Sequence, residues 1–471
     1  MSWLFGAGAR TFCAVTVLGA ALLGPIGSAA ARPVQSVNPP VIDLGALGEA
    51  QAISGNPAPL QETEMHALCQ EPTLKGDVRN APFAQKVLDL SAAWQFSRGE
   101  GQKVAVIDTG VNRHPRLSAL QSGGDYVSNT DGTEDCDGHG TMVAGIIAAQ
   151  QSNDDAFHGV APAAEILSIR QLSLAYRAKD NRSGAQEGAI DSSGYGNLLT
   201  LAGAVVRAVD MGATVINISE IACVAAGTET SDRQLGAAVR YAYDHNVVVV
   251  VAAGNVGGGC EDQNDGVGWA KVKTVATPAW FSPYVLSVAS VDPNGDPSEH
   301  SLNGPWVSVA AIGRDIVSLD SKTGKSGLVD AVMGKNGWQP IEGTSFAAPY
   351  VAGLAALVRS RFPALTAQEV MDRITRTAHS PGQGRDDRVG AGLIDPLAAL
   401  TAQLPEQPIS EGADQSRAFP EPHSSKGPDS LPRAVATVGS ITCLAALVIG
   451  LAISIPFRRA NRNDELPDFD S

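Results

Sequence analysis

The segment that most constrains the fold of this chain is VVVVVAA at residues 247–253, which is followed by Gly254 and Asn255. An apolar run without polar alternation predicts a strand that is buried on both faces. Strands of this kind occur in parallel sheets with helices packed on either side. The run stops at a glycine and an amide, and open α/β sheets carry their functional groups at this carboxyl end of the strands.

The neighbouring sequence alternates between predicted strands and predicted helices. The strands are predicted at residues 102–108, 159–170, 213–218, 283–291 and 306–310, and the helices at 198–211, 234–244 and 346–361. Residues 172–197 are polar and contain glycine, which predicts an inserted surface loop. The alternation predicts an α/β fold with three layers, α/β/α, around a mainly parallel sheet.

The length and the charge of the chain exclude several classes of protein. Its 471 residues suffice for one large domain or two of medium size, each with a buried core. The formal net charge of −15 argues against nucleic acid as a partner. The sequence shows no calcium-loop signature, and Cys136-x-x-His139 has no second metal-binding fragment to support it. We therefore predict neither a metal ion nor a cofactor.

The start of the chain differs from the central region. Arg10 precedes an apolar stretch that ends before Gly24 and Pro25, and small residues follow at 28–31. A basic residue, an apolar stretch and an A-x-A-like site are typical of a secretory signal peptide. An uncleaved anchor is the alternative, but the apolar stretch is short for a membrane span. Residues 1–31 are therefore predicted to be removed on export.

The end of the chain is predicted to anchor the protein. Residues 434–457 carry no charge, and a helix of this length would measure about 36 Å, enough to cross a bilayer. Basic residues follow at once, so the positive-inside rule places the tail, 458–471, in the cytoplasm. Residues 403–433 are rich in proline, serine and charge and predict a disordered linker. We expect a single-pass protein of the cell membrane with its folded domain outside the cytoplasm.

Four polar residues are predicted to come together at the ends of the central elements: Asp108, His139, Asn255 and Ser345. The aspartate and the asparagine end buried strands, whereas the histidine and the serine stand at the starts of apolar helices. A serine hydroxyl becomes a strong nucleophile when an imidazole takes its proton and a carboxylate orients the imidazole. An amide side chain and a backbone N–H group can stabilise the resulting oxyanion. This set predicts a hydrolase that forms an acyl-enzyme.

Each of these residues also has a simpler interpretation. Ser345 could serve only as the N-cap of its helix, and Asn255 could be only a turn residue. Asp108, within Asp-Thr-Gly, could belong to an aspartic protease, but that would require a second such motif or a homodimer. It would also leave the other three residues unexplained, so the combination favours a nucleophilic serine.

The segments that carry these residues resemble a known family. AVIDTG, DGHGTMVAG, VVVVVAAGN and EGTSFAAPYVAG resemble the four signature blocks of the subtilases, the subtilisin-like serine peptidases. The resemblance extends over residues 90–400 and implies a subtilisin-like fold. It also implies that Asp108, His139 and Ser345 form a catalytic triad, and that Asn255 donates a hydrogen bond to the oxyanion.

The flanking segments and the stretches DCDGHGT and VINISEIAC resemble one group of subtilases, the mycosins. Mycosins are membrane-anchored proteases of type VII secretion systems. The resemblance implies a serine endopeptidase that cleaves exported proteins and associates with membrane components of the secretion machinery. The alternative is a structural subunit of that complex whose proteolysis is secondary.

Four cysteines lie outside the predicted signal peptide and membrane segment: Cys69, Cys136, Cys223 and Cys260. In an exported domain they predict two disulfides, for which three pairings are possible. The resemblance to mycosins implies the pairs Cys69–Cys136 and Cys223–Cys260. The first pair would tie an N-terminal extension, residues 32–88, to the peptidase domain, residues 89–402. We therefore interpret the extension as a permanent wrap and not as a releasable inhibitor.

Two features bear on substrate preference. Many subtilisins continue the strand VINIS with Leu-Gly, which forms one wall of the main specificity pocket, whereas here Ser219 is followed by Glu220. We expect both residues to line a narrow substrate cleft. Residues 117–138 contain five acidic side chains and no basic one. They favour an exposed, solvated loop, or alternatively a cleft rim that selects basic residues of the substrate.

Overall fold

The computed structural model describes residues 37–180, 194–228, 230–257, 260–322, 324–334, 336–404 and 430–460, with side chains in the last range described for 438–453. The predicted signal peptide lies outside the described residues, as does most of the predicted linker. The chain divides into two units, Met1–Leu404 and Pro405–Ser471. The first unit contains all four candidate site residues.

The centre of the first unit is a parallel sheet of seven strands. In chain order these are β1 Lys103–Asp108, β2 Leu120–Asp125, β3 Glu165–Arg170, β4 Val215–Ile218, β5 Val248–Ala252, β6 Leu286–Val291 and β7 Val307–Ile312. Their spatial order is β7-β6-β5-β4-β1-β3-β2, and every pairing is parallel. Every residue of β5 is buried, as its uninterrupted apolar sequence predicts.

Helices cover both faces of this sheet. They are α1 Leu47–Ser54, α2 Phe83–Val87, α3 Leu90–Ala93, α4 His139–Ala148, α5 Leu198–Asp210, α6 Arg233–Asp244, α7 Thr344–Arg361, α8 Ala367–Thr377 and α9 Pro396–Thr401. Helix α4 packs against α7, and α5 packs against α6. Since α6 and α7 both contact β5 but belong to different pairs, they lie on opposite faces. The prediction of a three-layer fold with a mainly parallel sheet is confirmed.

Short antiparallel strand pairs surround the sheet. They are Thr63–Met65 with Tyr176–Ala178, Ala222–Ala225 with Thr274–Thr277, Ser318–Leu319 with Leu328–Val329, and Ala331–Gly334 with Gly337–Pro340. The first pair joins the extension to the segment predicted as an inserted loop, of which residues 181–193 lie outside the described part. That segment therefore contributes a strand at its start.

The described part of the predicted extension, residues 37–88, packs along the rest of the first unit. Helix α1 lies on α5 and α6, and Gly203 of α5 leaves room for Ile53, which a Cβ would approach to 2.7 Å. Farther along, Cys69 forms a disulfide with Cys136. The other disulfide joins Cys223 to Cys260. Both pairings are those that the resemblance implied.

Removing the Cys69–Cys136 disulfide by Cys69→Ser with Cys136→Ser is expected to lower the free energy of unfolding. The bond closes a loop of 67 residues, and the chain-entropy model assigns such a loop about 4 kcal/mol as an upper figure. Urea unfolding followed by tryptophan fluorescence measures the change. Cys443→Ser is the matched control because Cys443 is a free cysteine, and this variant is expected to unfold like the parent chain. Equal stability of all three proteins would contradict the prediction.

The interpretation of residues 117–138 as one exposed loop is wrong. They contain the edge strand β2, and the carboxylates of Asp125 and Asp135 are buried. Asp125 accepts hydrogen bonds from the backbone N–H groups of Val127 and Ser128 and lies 3.5 Å from the buried Arg170. Local donors therefore compensate the burial of these charges, whereas Glu134 remains exposed as expected.

The second unit contains one described helix, α10 Ser430–Ala460, which includes the segment predicted to cross the membrane. Its described apolar side chains are exposed, among them Val438, Ile441 and Leu444. Among the residues that the structure describes, no helix has both the length and the apolar character needed to cross a membrane. The transmembrane assignment of 434–457 stays a prediction.

Candidate active site

The fold brings the end of β1 and the start of α4 into direct contact. Asp108 is the last residue of β1 and is fully buried, and His139 is the first residue of α4. Gly140 makes this approach possible, because a Cβ at that position would lie 2.0 Å from the carbonyl oxygen of Gly110 and 3.1 Å from Asp108. The glycine that follows the histidine therefore allows the imidazole to approach the carboxylate.

Asp108 and His139 form the shortest described contact of the candidate triad. Oδ1 of Asp108 lies 2.7 Å from Nδ1 of His139 and accepts a hydrogen bond from the backbone N–H of Thr109 at 2.8 Å. With its proton on Nδ1, the ring donates to the carboxylate and leaves Nε2 free to accept a proton. This is the arrangement that a general base requires.

The charges around His139 favour its protonated form. Burial by itself would lower the pKa of His139, but the charge and hydrogen bond of Asp108 oppose it, together with the charges of Glu220 and Asp135. Their combined effect raises the pKa of His139 above its ordinary value. The neutral ring that can act as a base therefore becomes more abundant as the solution becomes more alkaline.

Asn255 is held next to the start of α7. Its Oδ1 accepts hydrogen bonds from the backbone N–H of Thr344 at 2.9 Å and from the Thr344 hydroxyl at 3.1 Å. Gly343 has φ +144°, and a Cβ there would lie 3.2 Å from Oγ of Ser345 and 3.4 Å from Nδ2 of Asn255. The amide N–H₂ group and the serine hydroxyl thus flank one glycine, where they can act on the same carbonyl group.

Ser345 is the second residue of α7 and is partly exposed. The ring of the next residue, Phe346, packs on His139 with ring centroids 4.9 Å apart, so the serine and the imidazole belong to one site. Within the described residues, the Ser345 hydroxyl is not hydrogen-bonded to His139. In enzymes without substrate this hydrogen bond is often long and shortens when substrate binds.

The two residues predicted to line the cleft contact the candidate triad directly. The buried Ser219 hydroxyl donates to the carbonyl oxygen of Ser345 at 2.8 Å and accepts from the Asn217 side chain at 2.9 Å. Oε1 of Glu220 lies 3.4 Å from Nδ1 of His139. The sequence predicts only a wall of the substrate pocket here, so the contact with the imidazole was missed.

A third carboxylate, that of Asp135, stabilises the elements that form the site. The buried Asp135 accepts from the Thr109 hydroxyl at 2.8 Å, from the backbone N–H of Gly138 at 2.7 Å and from the Thr141 hydroxyl at 2.6 Å. It thereby joins the end of β1 to the first turn of α4. The sequence shows an acid next to Cys136, but it offers no sign that this acid points inward.

Asp108, His139 and Glu220 are the described residues whose arrangement could hold a metal ion, since their ligand atoms lie within 4.8 Å of one another. Nδ1 of His139, however, already forms a hydrogen bond of 2.7 Å with Asp108. The cluster is therefore better described as a network of charges around an imidazole.

Comparison with known proteins identifies the family. The subtilase family model matches residues 99–392. Mycosin-4 from Mycobacterium tuberculosis is 44% identical over 463 residues, which cover 96% of this chain and 98% of mycosin-4.

Solved structures agree with this relationship. The structure of the MycP3 protease from the type VII (ESX-3) secretion system has a TM-score of 0.72 at 43% identity and covers 78% of this chain and 100% of that one. A chain in the structure of an intact ESX-5 inner membrane complex has a TM-score of 0.73 at 41% identity and covers 90% of this chain and 100% of that one. The present chain therefore belongs to the mycosins within the subtilase family and is a serine endopeptidase.

Proposed function

We propose that this endopeptidase works in a type VII secretion system, where it is anchored in the cell membrane and cleaves exported proteins. The relatives support the proposal, because MycP3 comes from such a system and a similar chain is part of an ESX-5 inner membrane complex. Membrane components of the secretion complex are accordingly the proposed partners. Residues 1–31, 403–433, 434–457 and 458–471 are proposed as signal peptide, linker, membrane anchor and cytoplasmic tail.

The contact between Asp108 and His139 carries the proposed mechanism. Ser345 Oγ attacks the carbonyl carbon of the scissile peptide bond while His139 Nε2 takes the hydroxyl proton. Asp108 orients the imidazole and stabilises the imidazolium, which then protonates the leaving amine. Asn255 Nδ2 and a backbone N–H at the start of α7 stabilise the oxyanion. Water then attacks the acyl-enzyme by the same route and regenerates Ser345.

The extension completes the proposal. We assign residues 32–88 to a segment that stays on the peptidase domain, residues 89–402, because Cys69 is bonded to Cys136, three residues before His139. Cleavage of the chain between the two cysteines would leave this bond intact. A structural contribution of the chain to the secretion complex is compatible with such a permanent arrangement, but no contact of the described residues favours it over proteolysis.

A membrane-impermeant fluorophosphonate probe tests the proposal on the full-length chain in right-side-out membrane vesicles. The probe modifies only a nucleophilic serine with a working base. Labelling that requires Ser345 and occurs without opening the vesicles is expected. Labelling only after the vesicles are opened would contradict the proposed topology, and no labelling of folded protein in either case would contradict the proposed mechanism.

Asn255→Ala is expected to lower kcat by about 10²–10³ while KM changes little, because the lost hydrogen bond forms mainly with the oxyanion of the transition state. The figure is that of the equivalent asparagine in subtilisin, which is another subtilase. Initial rates of hydrolysis of fluorescently labelled casein measure the effect. Asn294→Ala, in an exposed turn, is the matched control and is expected to keep full activity. A fall of less than fivefold in kcat would exclude Asn255 from the oxyanion hole.

A further inference from the structure

Glu220 lies directly beside the imidazole of His139. It follows β4 and Ser219, and its carboxylate oxygen Oε1 lies 3.4 Å from Nδ1 of His139. The same nitrogen lies 2.7 Å from Asp108 on the end of β1. The imidazole is therefore in contact with two carboxylates from two neighbouring strands of the sheet.

The exposure of the three side chains differs. Asp108 is completely buried, whereas Glu220 keeps 22% and His139 keeps 21% of its side-chain surface exposed. Glu220 is thus close enough to act on the ring through space and remains partly exposed. Two carboxylates this close repel each other unless a positive charge compensates them, and the imidazole carries such a charge when it is protonated.

We propose that Glu220 is a positioning residue for His139, a second carboxylate that holds the ring and stabilises its protonated form together with Asp108. The inference rests on the proposed function, in which His139 is the general base. It goes beyond that function because it gives a role in catalysis to the position where many subtilisins have an apolar pocket wall.

The electrostatic surroundings of the ring support this role. The charged groups that act most on His139 are Asp108 from β1, Glu220 from the segment after β4, and Asp135 from the loop before α4, and all three are acidic. The aromatic ring of Phe346 from α7 is neutral and packs on the imidazole. Glu220 is the one of the three acids that belongs neither to the candidate triad nor to the buried hydrogen-bond network of Asp135.

The charge of Glu220 is expected to lower the reaction rate in acidic solution and to raise it in alkaline solution. In acidic solution its charge keeps the imidazole protonated and so reduces the amount of free base. In alkaline solution the base is free, and the same charge stabilises the imidazolium that forms in the transition state. Loss of the charge should therefore move the acidic limb of the rate profile to lower pH and also lower the alkaline plateau.

The test is the pH dependence of the inactivation rate of the full-length protein by a fluorophosphonate probe. In Glu220→Gln we expect the acidic limb of the profile to shift to lower pH by about one unit, as for the loss of an opposite charge within a few ångströms. We also expect the inactivation rate on the alkaline plateau to fall about threefold or more. Glu220→Asp keeps the charge and is expected to lie between Glu220→Gln and the parent chain. Glu134→Gln removes an exposed acid from the loop before α4 and is expected to leave the profile unchanged.

The outcomes separate this inference from the proposed function. A rate that falls equally at every pH in Glu220→Gln would reduce Glu220 to a structural residue and overturn the inference. An unshifted profile with an unchanged plateau would also overturn it. The absence of any inactivation in the parent chain would instead contradict the role of Ser345 and His139. If urea unfolding shows that Glu220→Gln does not fold, the test uses Glu220→Asp. An acidic limb that is shifted relative to the parent chain supports the inference, and an acidic limb at the parent position overturns it.

Discussion

Ser345→Ala is expected to abolish endopeptidase activity, with a fall in kcat on the order of 10⁶, the loss found for the nucleophile of subtilisin. Alanine removes the oxygen that attacks the substrate but keeps the helix start, since the backbone N–H and the hydroxyl of Thr344 still hold Asn255. The Ser219 hydroxyl donates to the backbone carbonyl of residue 345, so that contact is also kept. The expected loss is therefore chemical and not structural.

Hydrolysis of labelled casein and fluorophosphonate labelling both measure this loss. Ser360→Ala is the matched control because Ser360 lies in the last turn of the same helix, where its hydroxyl is 3.4 Å from Glu100. This control is expected to retain activity, and both variants are expected to unfold near the parent midpoint. Substantial activity in Ser345→Ala would show that another residue is the nucleophile.

The same variant separates the two roles considered for this chain. A secretion complex that assembles with Ser345→Ala but fails to process exported proteins would show that the chain acts there as an enzyme. Assembly and processing that both continue would support the structural alternative.

The sheet and the candidate triad could be predicted because their sequences are under simple constraints. A strand buried on both faces must be apolar, so β5 was recognised from its valines, and its observed bounds, Val248–Ala252, differ from the prediction by one residue at each end. Asp108 and Ser345 were predicted from a similar pattern, because each is a polar residue at the end of an apolar element that is expected to be buried.

The edge strand β2 was missed because its sequence, LQSGGD, has neither an apolar run nor regular alternation. Among the described strands it pairs with β3 alone, so partial burial and this one pairing are sufficient to form it. The burial of Asp125 and Asp135 was also missed. Charge alone favours exposure, whereas the hydrogen-bond donors that compensate burial are supplied by a turn that only the folded chain forms.

The contact between Glu220 and His139 could not be predicted for a different reason. The two residues are 81 positions apart in the sequence and belong to different sheet strands and loops. Resemblance to subtilisins indicates which strand Glu220 follows, but many of those enzymes have Leu-Gly at this point and so offer no carboxylate from which to transfer a role. Only the distance of 3.4 Å connects the acid with the imidazole.

The second large effect is expected for Asp108→Asn, which should lower kcat by about 10⁴, as loss of the orienting acid does in a Ser-His-Asp triad. Oδ1 of Asp108 accepts from Thr109 as well as from His139, so an amide can keep the position of the ring. What it cannot keep is the buried negative charge, which fixes the imidazole proton on Nδ1 and stabilises the imidazolium. The expected loss is therefore in kcat, with KM nearly unchanged.

The carboxylate of Glu220 allows a second test of this prediction. Its carboxylate stays 3.4 Å from Nδ1 of His139 in Asp108→Asn and can preserve part of the charge stabilisation. Adding Glu220→Gln to this variant should then lower kcat further. The loss of kcat in the double variant should be larger than the product of the losses in the two single variants. Asp296→Asn, an exposed turn residue, serves as the control and should be fully active. A loss below tenfold in Asp108→Asn, combined with a large loss in Glu220→Gln, would transfer the role of orienting acid from Asp108 to Glu220.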